Sequence, residues 1–339
     1  MNRSVRTKIT TLGLGVTLMF TALTGCGNKD AKDTLSTEQQ SATEVIESTE
    51  NVTEGASEEN PITFTDALGR DVTVTSHDRV AAMIGSFADV WLLSGGELVA
   101  TANDSWESLD LDLGDDVVNL GSIQEPNTEA LLAAQPDLVI ASTNTTSNVE
   151  MENMLTEAGV TVAYFDVSDF DAYLQMLDIC TDITGRKDLY EKNGLDVQKQ
   201  IEEIKARVDD SHPSVLFLRA AASGVKAKGS EGSVGGELLK DLGCVNIADS
   251  DSGLLDNLSL EAIVTADPDY IFVTTQGTDT DAALENVQET LIDSPVWSSL
   301  TAVKENHYYV LDKRLYNLKP NARWGEAYKE LADILYQEN

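Results

Sequence analysis

Asn127-Thr128-Glu129-Ala130-Leu131-Leu132-Ala133-Ala134-Gln135-Pro136-Asp137-Leu138-Val139-Ile140 aligns without gaps with Ser259-Leu260-Glu261-Ala262-Ile263-Val264-Thr265-Ala266-Asp267-Pro268-Asp269-Tyr270-Ile271-Phe272. Both stretches read as Glu, apolar helix, Pro-Asp and buried strand. Pro136 and Pro268 stop each helix and start the turn into its strand. Glu129 and Glu261 fall in a first helical turn, where the helix dipole favours an anion. Two unrelated helix-to-strand junctions would also carry helix-favouring acids. The matched offsets favour a repeated unit with a placed pair of exposed acids.

On either side of these stretches, short apolar runs alternate with longer amphipathic segments. In the first half, Val80–Ile84, Leu98–Thr101, Leu138–Ala141 and Val160–Phe165 read as strands, and Phe87–Leu93, Thr128–Ala134, Asn148–Ala158 and Phe170–Ile183 as helices. Ile62–Thr65 and Val72–Val74 flank a Gly69-containing turn and read as a hairpin. A second series starts at Val215–Leu218 and runs through Val234–Leu242, Leu260–Ala266, Tyr270–Thr274, Asp281–Ile292 and Tyr308–Leu311 to a helix ending near Tyr336. Continuous apolar strands alternating with helices imply a mainly parallel sheet covered on both faces. Between the series, Leu189, Leu195, Ile201, Ile204 and Val208 recur near helical spacing. The expected fold class is therefore α/β: two lobes, each a mainly parallel sheet flanked by helices, residues 61–186 and 211–339, joined by one long rigid helix at 187–210.

Residues 1–60 read differently. The charges of the first 25 residues are Arg3, Arg6 and Lys8, followed by an uncharged, mostly apolar run from Ile9 to Leu23. This is the grammar of a secretory signal, too short for a comfortable membrane span; an uncleaved anchor helix is the alternative. Residues 27–60 carry nine acids against two lysines and no aromatic residue. They cannot bury enough apolar surface to offset ordering entropy, so residues 26–60 are expected to form a disordered acidic linker.

The chain of 339 residues carries 58 acidic against 23 basic residues, a formal net charge of −35. An exterior this acidic repels phosphate backbones, so a nucleic-acid partner is not expected. His77, His212 and His307 show no metal-ligand spacing, and Cys26, Cys180 and Cys244 form no CxxC pair, so no resident metal or cofactor is expected. Neither a Ser-His-Asp nor a GxSxG arrangement occurs, and no catalytic residue is identified. The stretch Gly229–Gly236 lacks the ending of a phosphate-binding loop and reads as a turn and helix start. Cys180 and Cys244 sit in apolar contexts that favour buried thiols, although an exported protein permits a disulfide.

Several pieces resemble the solute-binding proteins of bacterial ABC importers for iron-siderophore, haem and cobalamin. They are Ile62–Val74, Arg79–Ile84, Pro126–Ile140, Gly229–Gly243 and Pro295–Tyr309, spread over nearly all of residues 61–339. Leu23-Thr24-Gly25-Cys26 resembles a lipobox, which implies a lipid-bearing Cys26 and a protein tethered on the extracytoplasmic face of the cell membrane. The resemblance also implies two lobes facing across a cleft, a permease with its ATPase as partner, and salt bridges from Glu129 and Glu261 to permease arginines. A monomer is expected.

In such an architecture the cleft is lined by loops after the strands' carboxyl ends. The candidate ligand contacts there are Phe87, Trp106 and Thr143 in the first lobe and Arg219, Arg314, Tyr316 and Lys319 in the second. Arg219 ranks first: a guanidinium ending a buried strand is costly unless paired, and its fork suits the oxygens of a metal chelate. A structural salt bridge is its alternative role. Trp106 and Tyr316 offer flat walls or ordinary packing, and Arg314, Lys319 and Arg323 form a basic patch that would focus an anionic cargo or cover a helix entry. The cargo expected is an iron chelate, with a ferric siderophore ahead of haem or a corrinoid. A direct zinc or manganese receptor and an exported enzyme are the weaker readings. Haem receptors of the resembling family often ligate iron with Tyr, His or Met, for which Tyr316 is the one well-placed candidate.

Overall fold

The computed structural model describes residues 61–336. The signal segment, the acidic linker and Cys26 lie outside the described residues. Among the described residues there are twelve strands: β1 (Ile62–Thr65), β2 (Asp71–Val74), β3 (Val80–Ala82), β4 (Ala100–Thr101), β5 (Val118–Asn119), β6 (Leu138–Ser142), β7 (Thr161–Phe165), β8 (Ser214–Ala221), β9 (Gly224–Lys228), β10 (Val245–Asn246), β11 (Tyr270–Thr275) and β12 (Tyr308–Leu311). They form an antiparallel hairpin, β1-β2, and two five-stranded sheets. The first sheet is all parallel in the order β5-β4-β3-β6-β7. The second is parallel in the order β10-β8-β11-β12, with β9 folded back antiparallel on β8.

The apolar strands face two ways, which is why they read as continuous hydrophobic runs. Val80, Ala82, Leu138 and Ile140 belong to a core shared with Val215, Phe217 and Phe272 of the second sheet. Ala81, Met83, Val139 and Ala141 face a separate core on the outer side of the first sheet. Leu216, Leu218, Ile271 and Val273 do the same on the second. The shared core also takes in the helix Phe170–Ile183 and the closing helix Trp324–Leu335, including Phe170, Tyr173, Trp324 and Tyr328.

The internal repeat has a structural reason. Its helices run Thr128–Ala133 and Leu260–Ala266, capped by Asn127 and Ser259, whose side chains accept from the N–H groups of Ala130 and Ala262. Each is followed, just before the proline, by a residue with left-handed backbone, Gln135 (φ 48°) and Asp267 (φ 42°). The aspartate after the proline then clamps the start of the adjacent central strand. Asp137 accepts from the N–H groups of Asp78 and Arg79 before β3, and Asp269 accepts from the N–H and hydroxyl of Ser214 at the start of β8.

The chain passes from the first sheet to the second through Phe170–Ile183 and a helical stretch from Lys187 to Lys205. That stretch is not uniform: Glu191–Leu195 forms a π-helical segment around Gly194. A Cβ at Gly194 would lie 2.7 Å from Leu174, so the glycine permits the close approach of this helix to Phe170–Ile183. Cys180 and Cys244 are buried free thiols, and burial pushes each up to about 12.

Candidate ligand-binding cavity

The carboxyl ends of both sheets border one cavity of about 490 Å³. The loops after β6 and β7 contribute Asn144, Asp166 and Ser168; the second sheet contributes Phe217, Arg219, Lys228 and Thr274. Tyr316, Asn317 and Lys319 arrive from the segment after β12.

Arg219 lies within β8, two residues before its end, because the strand runs to Ala221 rather than stopping at Leu218. Its side chain makes no hydrogen bond or ion pair among the described residues, and burial lowers its pKa. Lys228 pairs with Phe217 across β8 and β9 and enters the same space. Burial lowers its pKa, and the neighbouring charges of Arg219 and Lys226 lower it further. Burial also lowers the pKa of Lys319, against which the charge of Asp166 acts. Asp166 is held by Asn144, whose amide donates to its carboxylate at 2.6 Å.

The helix Val234–Asp241 points its N-terminus at this cavity, with Ser233 and Val234 on the lining. Ser233 does not cap the helix; its hydroxyl donates to the carbonyl of Gly229 at 3.1 Å. A Cβ at Gly235 would lie 2.2 Å from the Phe217 ring, so glycine is what lets the helix start rest against β8. Thr274 stands beside Arg219 in the strand register, is fully buried, and its hydroxyl has no partner among the described residues.

The seven candidate ligand contacts separate. Arg219, Tyr316 and Lys319 share the cavity. Thr143 is half-buried next to Asn144 and donates its N–H to the Phe165 carbonyl. Arg314 lines a neighbouring cavity of about 180 Å³ with Asp89 and Arg323, and Lys319 borders both spaces. There burial raises the Asp89 carboxyl, opposed by the Asn321 amide at 2.8 Å and by the charges of Arg314 and Arg323. Phe87 does not reach the cleft: the helix begins at Gly85, which turns Phe87 inward to pack edge-on against Phe165. Trp106 is carried elsewhere by the short helix Asp104–Glu107 and is not on the lining of the Arg219 cavity. Asp104 in that helix accepts the N–H of Gly85 with both carboxylate oxygens, and burial raises its pKa.

Tyr316 is on the lining of the cavity, and its hydroxyl is committed elsewhere. The hydroxyl lies 3.0 Å from both the Ala327 carbonyl and a Glu330 carboxylate oxygen. Burial, and then the Glu330 charge, raise the phenol's pKa. Glu129 and Glu261, by contrast, are exposed in the first turns of their helices. Among the described residues no group of three or more His, Cys, Asp or Glu side chains is placed to hold a metal ion.

Two mainly parallel sheets bordering one cavity at their carboxyl ends, with a helical connection between them, form the arrangement of a periplasmic-type binding protein. The chain belongs to the Periplasmic binding protein family, whose sequence model matches residues 80–315. It is similar to the Iron-uptake system-binding protein of Bacillus subtilis (strain 168), at 25% identity over 280 residues, 81% of this chain and 85% of that protein. The fold is that of Staphylococcus aureus SirA complexed with staphyloferrin B, with a TM-score of 0.63 and 22% identity over 81% of this chain and 97% of that one. It is equally that of S. aureus IsdE complexed with heme, with a TM-score of 0.61 and 18% identity over 76% of this chain and 99% of that one.

Proposed function

We propose that this protein is the extracytoplasmic receptor of an ABC importer, capturing a ferric siderophore in the cavity between its sheets and delivering it to the permease. The observation that carries this reading is the convergence of Arg219, Lys228 and Lys319 on one space with no ion pair of their own among the described residues. Unpaired, partly buried cations are costly unless an anion completes them. The fixed fork of Arg219 suits the oxygens of a chelate, and the apolar residues Phe217 and Tyr316 lie on the same lining. The iron-uptake name of the B. subtilis relative and the siderophore bound to SirA point the same way.

Haem is the second reading, favoured by the similarity in fold to IsdE. Against it stands Tyr316, the candidate iron ligand, with its hydroxyl engaged by Ala327 and Glu330. The exposed Glu129 and Glu261 would meet permease arginines, each contact contributing roughly 0 to 1 kcal/mol, and so orient docking without making it tight. Cys26 would carry the lipid that holds the receptor at the membrane. Uptake of radioiron supplied as a ferric siderophore, compared between cells with and without this chain, tests the function. The proposal expects uptake to depend on the chain; equal uptake for every siderophore and for haem would overturn it.

A further inference from the structure

The charges around the cavity narrow the cargo further, an inference that rests on the receptor reading above. Among the described residues, three cations, Arg219, Lys228 and Lys319, face one lining carboxylate, Asp166. Two further donors open on the same space: the unpartnered, fully buried hydroxyl of Thr274 and the uncapped N-terminus of the helix Val234–Asp241. A helix N-terminus acts as roughly +0.5 of a charge. With Lys226 adding its charge beside Lys228, positive charge outweighs negative around the cavity.

A chelate of three hydroxamates around Fe(III) is neutral. It would desolvate all three cations and compensate none, the costly arrangement for buried charge. A chelate of catecholates or α-hydroxycarboxylates keeps surplus negative charge on its outward oxygens, where Arg219, Lys228, Thr274 and the helix N–H groups are arrayed. The two anionic or phenolic oxygens the lining could lend to iron are engaged, the Tyr316 phenol by Ala327 and Glu330 and the Asp166 carboxylate by Asn144, which favours a chelate that satisfies the metal itself. Asp166 adds a limit. Held in place by Asn144, it acts on Lys319 as the cargo's own anionic group would.

We propose that the cavity is built for a coordinatively saturated ferric chelate of catecholate or α-hydroxycarboxylate type with a net charge of about −2 to −3, and that Asp166 tempers its affinity by competing with the cargo for Lys319.

The test is equilibrium titration of the purified protein, followed by tryptophan fluorescence at low and high salt, with a ferric tricatecholate, ferric dicitrate, a neutral ferric trihydroxamate and haemin. At least one of the two anionic chelates should bind ~100-fold or more tightly than the trihydroxamate and weaken with salt, as several charge-assisted contacts require. Lys228→Gln should weaken that chelate alone, and Asp166→Asn should tighten it by roughly 3- to 10-fold. Equal, salt-insensitive binding of the trihydroxamate would overturn the charge selection while leaving the receptor reading intact. Weaker binding of the anionic chelates by Asp166→Asn would overturn the role given to Asp166. Binding of haemin alone, or of none of the four, would sink the siderophore reading and this inference with it.

Discussion

Replacing Arg219 with methionine separates a ligand contact from a structural ion pair, because the two roles predict opposite signs for stability. The guanidinium is partly buried in β8, has no hydrogen-bond or ion-pair partner among the described residues, and has its pKa lowered by burial alone. In the empty protein it therefore costs desolvation without an internal return. Methionine keeps the length of the apolar stem against Phe217 and Thr274 and removes the charge. The unliganded protein should be unchanged or more stable, by roughly 0 to 1 kcal/mol in urea unfolding. Binding should move the other way. A hydrogen bond to a charged group contributes about 1.5–3 kcal/mol, and 1.4 kcal/mol is tenfold in affinity, so an anionic ferric chelate should lose roughly 10- to 150-fold. Fluorescence titration and urea unfolding of the same two proteins read both quantities. A variant that lost several kcal/mol of stability while binding the chelate as before would refute the reasoning and make Arg219 a structural residue.

Three further outcomes follow from the geometry. Gly235→Ala places a methyl against the Phe217 ring, where a Cβ would lie 2.2 Å away; it should cost about 1–3 kcal/mol in unfolding and, by displacing the helix start, weaken chelate binding. Burial alone would raise the Asp66 carboxyl, but hydrogen bonds from the side chain and backbone of Arg70 and from the backbone of Tyr164 outweigh it, leaving the group below its ordinary value of 3.8. Its stabilisation is thus fully present above pH 3.8 and lost as pH falls through the lower folded value; Arg70→Met should remove about 1.5–3 kcal/mol at neutral pH and most of this acid dependence in pH-resolved unfolding. Reversing both exposed acids, Glu129→Arg with Glu261→Arg, should abolish uptake and leave the chelate's Kd within about twofold, since neither residue lines the cavity; full uptake by the double variant counts against the docking role.

The architecture was legible because the features that set it are local and repeated. The offset between Asn127–Ile140 and Ser259–Phe272 fixes two helix-to-strand junctions, and strands buried on both faces are marked by their uninterrupted apolar residues. Asp137 and Asp269 could have been read as more than turn residues, since each clamps the strand beside it. The cavity was only half legible. Arg219, Tyr316 and Lys319 follow from placing ligands at the strands' carboxyl ends. Lys228 does not, because Gly224–Lys228 is a short edge strand whose alternating lysines resemble a solvated loop. Asp166, directly after the strand Thr161–Phe165, is accessible to the same rule. Phe87 and Trp106 show the limit of that rule: the helix starting at Gly85 turns Phe87 into the core, and the helix Asp104–Glu107 carries Trp106 away from the Arg219 cavity.

The most direct measurement is the position of iron by anomalous scattering in crystals grown with a ferric tricatecholate or ferric dicitrate. The account predicts one iron peak inside the cavity bordered by Arg219, Lys228 and Lys319, with every metal ligand supplied by the chelate. Iron bound by a protein side chain, or lying outside that cavity, would contradict it.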